Sequence, residues 1–261
     1  MESNFVKVAN KVVFKPTTDG LDYELEAGKV YTVEMDRYSG DITFNIAPDM
    51  SLPTKLYTTE EDEKFINKVL SRYQIMENGT LGVMLSGLKG SGKTVMMKNL
   101  AVKSNLPILL IDKSFAPCQL VNLFNKLSKI ELCVLMDEID KIGENYDDDY
   151  LLKILDGVNT TGKKLMVFTC NDAEDINEYL QDRCSRIRYW REFDVMPSSM
   201  IQNILQDKLN DKDEVKPLTD FIIENFGVVS FDNVISFVDE VNENANDTYE
   251  DLFNDMNLSS K

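Results

Sequence analysis

A mixed α/β domain with a parallel sheet and crossover helices, preceded by a small β-rich segment and followed by a helical one, is the fold this sequence predicts. Three observations predict it. Apolar runs near 82–86, 108–112, 132–137, 165–170 and 187–191 alternate with stretches of helical periodicity, as parallel strands joined by crossover helices require. Residues 1–52 instead carry short alternating runs, K-V-V-F-K, Y-E-L-E, K-V-Y-T-V-E-M and D-I-T-F-N-I-A, which read as strands. From Val195 onward the apolar spacing is helical throughout. The expected division is a small β-rich N-terminal domain over 1–52, an α/β core over 53–194, and a helical lid with an acidic C-terminus over 195–261.

In the opening segment the last two runs are joined by D-R-Y-S-G, where Gly40 is free to take the positive φ of a hairpin turn. So small a β unit buries little alone and is expected to lean on the core or on a partner. A partner-docking module and a structural appendage are both open readings for it. Pro53 and T-K-L-Y-T-T then form a linker, and Thr59 is placed to cap a helix bearing Phe65, Ile66, Val69, Leu70 and Tyr73 at helical spacing. Asp147 to Asp149 precede a helix near Leu151, where its positive N-terminal end favours acids. In the lid, Met200, Ile201, Ile204 and Leu205 form one stripe, Phe221, Ile222 and Phe226 a second, and Phe231, Val234, Ile235 and Val238 a third.

Composition narrows the partners. At 261 residues and 43% hydrophobic, the chain can fill one large α/β core and one or two small ones. A net charge of -17 argues against broad attraction to DNA, RNA or an anionic membrane. The only basic run is Arg183 to Arg191. With no histidine, imidazole chemistry and His-containing metal sites are excluded. Cys118, Cys133, Cys170 and Cys184 lack C-x-x-C spacing and read as apolar residues in a reducing compartment. The start M-E-S-N-F-V-K-V has no signal-peptide pattern and no run reaches bilayer-spanning length, so a cytoplasmic protein without a membrane partner is expected.

The chemistry concentrates in four segments. Gly87 to Thr94 reads G-L-K-G-S-G-K-T between the apolar run L-G-V-M-L and V-M-M-K-N-L-A-V, a P-loop in its strand-loop-helix setting. Gly87, Gly90 and Gly92 let the backbone wrap a triphosphate, so that successive N–H groups from Lys89 and Ser91 through Val95 can meet phosphate oxygens at the helix start. Lys93 would reach the β- and γ-phosphates, and Thr94 would give its hydroxyl to Mg²⁺. Next, C-V-L-M-D-E-I-D, Cys133 to Asp140, is an apolar strand ending in two carboxylates, a Walker B segment. Asp137 can hold the same Mg²⁺, while Glu138 can polarise the water that attacks the γ-phosphate. The bland alternative is that both acids merely close a strand in solvent. Third, K-L-M-V-F-T-C-N-D places Asn171 where an amide can orient that water. Fourth, L-Q-D-R-C-S-R-I-R-Y-W-R-E-F gathers Arg183, Arg186, Arg188 and Arg191. Arg183 and Arg186 suit transition-state charge on a neighbour's γ-phosphoryl group, whereas Arg188 and Arg191 suit surface carboxylates.

In this order the motifs resemble an AAA+ ATPase module, over roughly residues 57 to 240. The resemblance implies a P-loop AAA+ sheet as the nucleotide-binding core, ATP with Mg²⁺ as cofactors, and a homo-oligomeric, hexameric ring whose arginines complete adjacent sites. L-L-K-I-L-D-G-V and R-C-S-R-I-R-Y are similar to the AAA branch in the narrow sense, although Cys184 and Ser185 stand where R-P-G-R has proline and glycine. L-Q-D-R-C also resembles the S-R-C motif of clamp loaders. Against clamp loading, Asn233 occupies the place of a second sensor arginine, and the residues after the lid leave no room for a collar domain. The layout is most similar to small AAA ATPases of tailed bacteriophages, which would place it in host cytoplasm. In such rings the loop after the second strand lines a pore, and Phe115 is the candidate pore aromatic; packing under its own helix is the alternative. The reading is an ATP-hydrolysing motor acting on an unknown protein client. Its competitors are a DNA-replication accessory ATPase such as a helicase loader, and a slow nucleotide-gated scaffold.

Overall fold

The computed structural model describes residues 5–8, 11–14, 24–36, 41–111, 115, 117–141, 155, 162–171, 187–193 and 195–260. Contacts divide the chain into two units, one of residues 1–52, 65–86 and 94–191 and one of 53–64, 87–93 and 192–261.

The described strands of the chain form a single sheet: β1 Phe5–Val8, β2 Lys11–Phe14, β3 Val30–Met35, β4 Ile42–Ile46, β5 Gly79–Gly87, β6 Ile108–Leu110, β7 Leu132–Met136, β8 Lys163–Cys170 and β9 Ile187–Phe193. Their order is β1-β2-β4-β3-β6-β7-β8-β5-β9. The core pairs β6–β7, β7–β8 and β5–β8 are parallel, as the alternating runs predict. Parallel strands buried on both faces need near-continuous apolar sequence, and β7, L-C-V-L-M, is buried at every position. The strands of the N-terminal segment are antiparallel among themselves, and β3 joins the core by pairing in parallel with β6, Val30 opposite Ile108. That segment therefore leans on the core through backbone hydrogen bonds, and its Tyr31, Ile42 and Phe44 share one apolar cluster with Met84, Leu109 and Val134.

Helices α1 Glu60–Ile75, α2 Lys93–Ser104 and α3 Pro117–Lys126 precede the lid. In α1, Ile66, Val69 and Tyr73 are buried on one stripe as their spacing predicts. Cys133 and Cys170 are fully buried, in β7 and β8.

One core residue is out of keeping with its surroundings. Lys164, in β8, is fully buried, and its ammonium donates to the carbonyls of Ile130 at 2.9 Å and Ser128 at 3.3 Å. Burial pulls its pKa down to about 8, with Glu131 opposing. The unfolded chain then binds the proton more tightly than the folded one, so this residue's penalty is complete below pH 8 and fades as pH climbs toward 10.5. Urea unfolding at pH 7.5 and 9 should show wild-type stability gaining relative to Lys164→Met, by up to about 1.4 kcal/mol per pH unit. Using the difference between the two proteins cancels the opposing contribution of Cys133, whose thiol burial pushes up to about 12. Parallel pH profiles would show that the ammonium is already compensated.

In the second unit, Thr59 caps α1 as predicted, and reciprocally: its hydroxyl accepts from the Asp62 N–H at 3.1 Å while the Asp62 carboxylate accepts from the Thr59 N–H at 2.7 Å. The lid comprises α4 Ser198–Lys208, α5 Val215–Asn225, α6 Phe231–Glu243 and α7 Tyr249–Asp255. Ile201, Ile204 and Leu205 pack with Leu218, Ile222, Phe226, Val234, Phe237, Val238 and Leu252 in a core of its own. Phe221 and Phe237 stack with centroids 5.8 Å apart. Among the described residues, no helix is long and apolar enough to cross a membrane.

Candidate nucleotide site

Strand β5 runs into the glycine-rich loop, and two of its glycines are structural requirements. Gly87 has φ +126°, and a Cβ there would sit 2.1 Å from the carbonyl oxygen of Phe193. Gly90 has φ +77°, and its Cβ would come within 2.9 Å of the Ser230 Cβ. The lid's third helix is tied to this loop by the Phe231 N–H, which donates to the Gly90 carbonyl at 3.1 Å. Sequence reasoning did not find that tie, because a backbone bond leaves no residue-type signal. Lys93 is buried, and its ammonium donates to the loop's own carbonyls, Gly87 at 2.6 Å and Leu88 at 2.7 Å. The Ser91 hydroxyl is buried without a protein partner, a polar orphan of the kind a phosphate oxygen satisfies. Lys89 is exposed, while Gly92, Thr94 and Val95 are half-buried.

In the first unit, the register Met136↔Phe168 sets Asp137, just after β7, level with Thr169 near the end of β8. Polar residues that follow each strand therefore meet at the carboxyl edge of the sheet, where open α/β sheets hold their ligands. Thr94, one residue beyond Lys93 in α2, donates its hydroxyl to Asp137 Oδ1 at 3.3 Å. The buried Thr169 donates to the same oxygen at 2.5 Å and accepts from the Glu138 N–H at 2.7 Å. Glu138 takes φ +52°, a left-handed conformation that costs a non-glycine residue about 1–2 kcal/mol. Its Oε1 accepts from Asn171 at 3.3 Å and from Lys141 at 2.7 Å, and Asn171 also donates to Asp140 at 3.4 Å. The bond to Glu138 is the main reason the Lys141 pKa is raised.

Four residues of the sequence reading, Thr94, Asp137, Glu138 and Asn171, are thus in one hydrogen-bonded cluster. Thr169 was not anticipated. Its one signal was a hydroxyl inside the otherwise apolar run L-M-V-F-T-C. Arg183 and Arg186 lie outside the described residues, as do Asp147 to Asp149 and Cys184. Arg191 lies 5.4 Å over the Phe65 ring, a cation–π contact that surface pairing did not foresee. Phe115 is buried in the core beside residues such as Leu120 and Leu123, the packing alternative rather than an exposed aromatic. The Asn233 amide donates to the Val228 carbonyl at 2.9 Å and so serves the turn before α6.

Among the described residues, no group of three or more His, Cys, Asp or Glu is placed to hold a metal by itself. The hydroxyl of Thr94 and carboxylate of Asp137 are hard oxygen donors that suit Mg²⁺, an ion that keeps waters and takes its remaining ligands from phosphates.

A parallel α/β sheet, a glycine-rich loop opening a helix and paired carboxylates directly after β7 are the features of a P-loop nucleotide-binding domain. Residues 83–192 match the family model described as the ATPase family associated with various cellular activities (AAA). A solved structure described as "Structural Basis for Katanin Self-Assembly" shares the fold, with a TM-score of 0.53, 14% identity, and 77% of this chain and 74% of that chain covered. None of the curated proteins matches the sequence significantly.

Proposed function

We propose that the chain binds ATP with Mg²⁺ and hydrolyses it, working as a hexameric homo-oligomer of phage type that remodels a protein or protein–nucleic-acid complex. The observation that carries this reading is the cluster of Thr94, Asp137, Glu138 and Asn171. Thr94 and Asp137 would hold Mg²⁺, which neutralises phosphate charge when bound. Glu138 takes a proton from water, and Asn171 orients that water. For Glu138 to act, its carboxylate must turn from the Lys141 ammonium, since a paired carboxylate is a weaker base. A ring is supported by Arg183 and Arg186, which follow β8 in the sequence and which the resemblance assigns to an adjacent subunit's site, and by the shared fold with a protein described as self-assembling. The phage assignment is supported by the layout of β segment, α/β core and short lid. Phosphate release should require both ATP and Mg²⁺; a purified protein with bound nucleotide but no turnover would sink the proposal.

The charge favours a polypeptide client over bare nucleic acid. With a net charge of -17, binding to random duplex DNA at physiological salt should be weak and should fall steeply as salt rises. Fluorescence anisotropy decides this, and tight binding that salt leaves unchanged would move the client to nucleic acid.

A further inference from the structure

We infer that Thr169 is a positioning residue for hydrolysis, its hydroxyl ordering the Asp137 carboxylate and locking the Asp137–Glu138 peptide in the conformation that presents Glu138. This rests on the proposed roles of Asp137 and Glu138 as the metal-holding and water-activating groups. A threonine hydroxyl has one proton and two lone pairs. Here the ionised carboxylate can only accept, so the proton points to Asp137 Oδ1, and a lone pair is left for the Glu138 N–H. Neither bond can be reversed, and the two together fix where the hydroxyl points. Thr169 cannot swing away either, because β8 lies between β7 and β5 and the side chain is fully buried.

Two consequences follow for the cluster. Both the Thr94 and Thr169 hydroxyls converge on Oδ1, which leaves Asp137 Oδ2 available to a cation. The Glu138 N–H bond secures a backbone with φ +52° that a glutamate does not adopt unaided. If the peptide relaxed, Glu138 would leave the side of Asn171. One buried hydroxyl therefore sets the orientation of both acids.

The test compares Thr169→Val, which keeps the shape and loses the hydroxyl, with Thr169→Ser, which keeps the hydroxyl and loses a methyl group. Two quantities are measured on the full chain: steady-state phosphate release, and the affinity of a fluorescent ADP with and without Mg²⁺. Thr169→Val is expected to lower kcat about 10–100-fold, the range seen when groups supporting a metal ligand are removed. It should also shrink the gain in ADP affinity that Mg²⁺ provides, while Mg²⁺-free affinity stays at the wild-type level. Thr169→Ser should restore most of both. A purely packing role predicts the reverse order, with serine, which opens a cavity, the more damaging change. Wild-type kcat and wild-type Mg²⁺ dependence in Thr169→Val would overturn the inference, as would a Thr169→Ser no better than Thr169→Val. If Thr169→Val fails to fold, the serine variant still decides, since it must retain activity and Mg²⁺-dependent binding. A wild-type protein that does not hydrolyse ATP is a different outcome and defeats the proposed function itself.

Discussion

Glu138→Gln is expected to hold ATP as tightly as the parent and hydrolyse it about 10²–10⁴-fold more slowly, the contribution of a positioned general base. Glutamine keeps the size of the side chain and can still meet Asn171, but it cannot take a proton. Lys93→Ala should fail at the earlier step. The Lys93 ammonium is already out of water, held by the Gly87 and Leu88 carbonyls, so its transfer to phosphate costs little new desolvation and its charge goes directly into binding. Equilibrium binding and phosphate release separate the two variants, one losing affinity and the other turnover. A Glu138→Gln protein that turns over ATP like the parent would remove Glu138 from the water-activating role.

Arg183→Ala is expected to depress turnover by about 10³–10⁵-fold, the range for an arginine finger, with little change in nucleotide affinity. Arg183 lies in the segment between β8 and β9, which the resembled family turns toward the adjacent subunit. Catalysis shared between subunits has a signature that no monomer can copy. Activity per subunit should rise with protein concentration. Mixing Arg183→Ala with Lys93→Ala, each inactive, should recover hydrolysis, because some mixed interfaces pair an intact loop with an intact arginine. A stable monomer with concentration-independent activity and an unimpaired Arg183→Ala would dispose of the ring and leave a nucleotide-gated scaffold.

The parallel core was legible because strands buried on both faces demand continuous apolar sequence, and 132–136 and 165–170 offer little else. Thr59 was legible because a cap is local: the residue and its Asp62 partner are three positions apart. The strands of 1–52 were readable, but their edge partner was not. The pairing of Val30 with Ile108 is a backbone bond between segments far apart in sequence, and apolar alternation does not encode which edge a strand joins.

The site divides the same way. Gly87, Lys93, Thr94, Asp137, Glu138 and Asn171 stood out by residue type and spacing, since phosphate, metal and water chemistry restricts which side chains can serve. Spacing could not bring them together. Thr94 and Asp137 meet because the sheet order places β5, β8 and β7 side by side, a long-range result of packing. Phe115 shows the limit from the other side: its position in the chain pointed to a pore, and the core decided otherwise because burying a phenyl ring is favourable wherever space allows. The sequence by itself determined the α/β class, the glycine-rich loop and the chemistry of the acids, all matters of local pattern and residue type. Tertiary structure alone decided that Glu138 takes a left-handed backbone, that Asn171 meets its carboxylate, and that Thr169 joins it to Asp137. Those depend on register between neighbouring strands, where a shift of one residue would send the hydroxyl to the opposite face of the sheet.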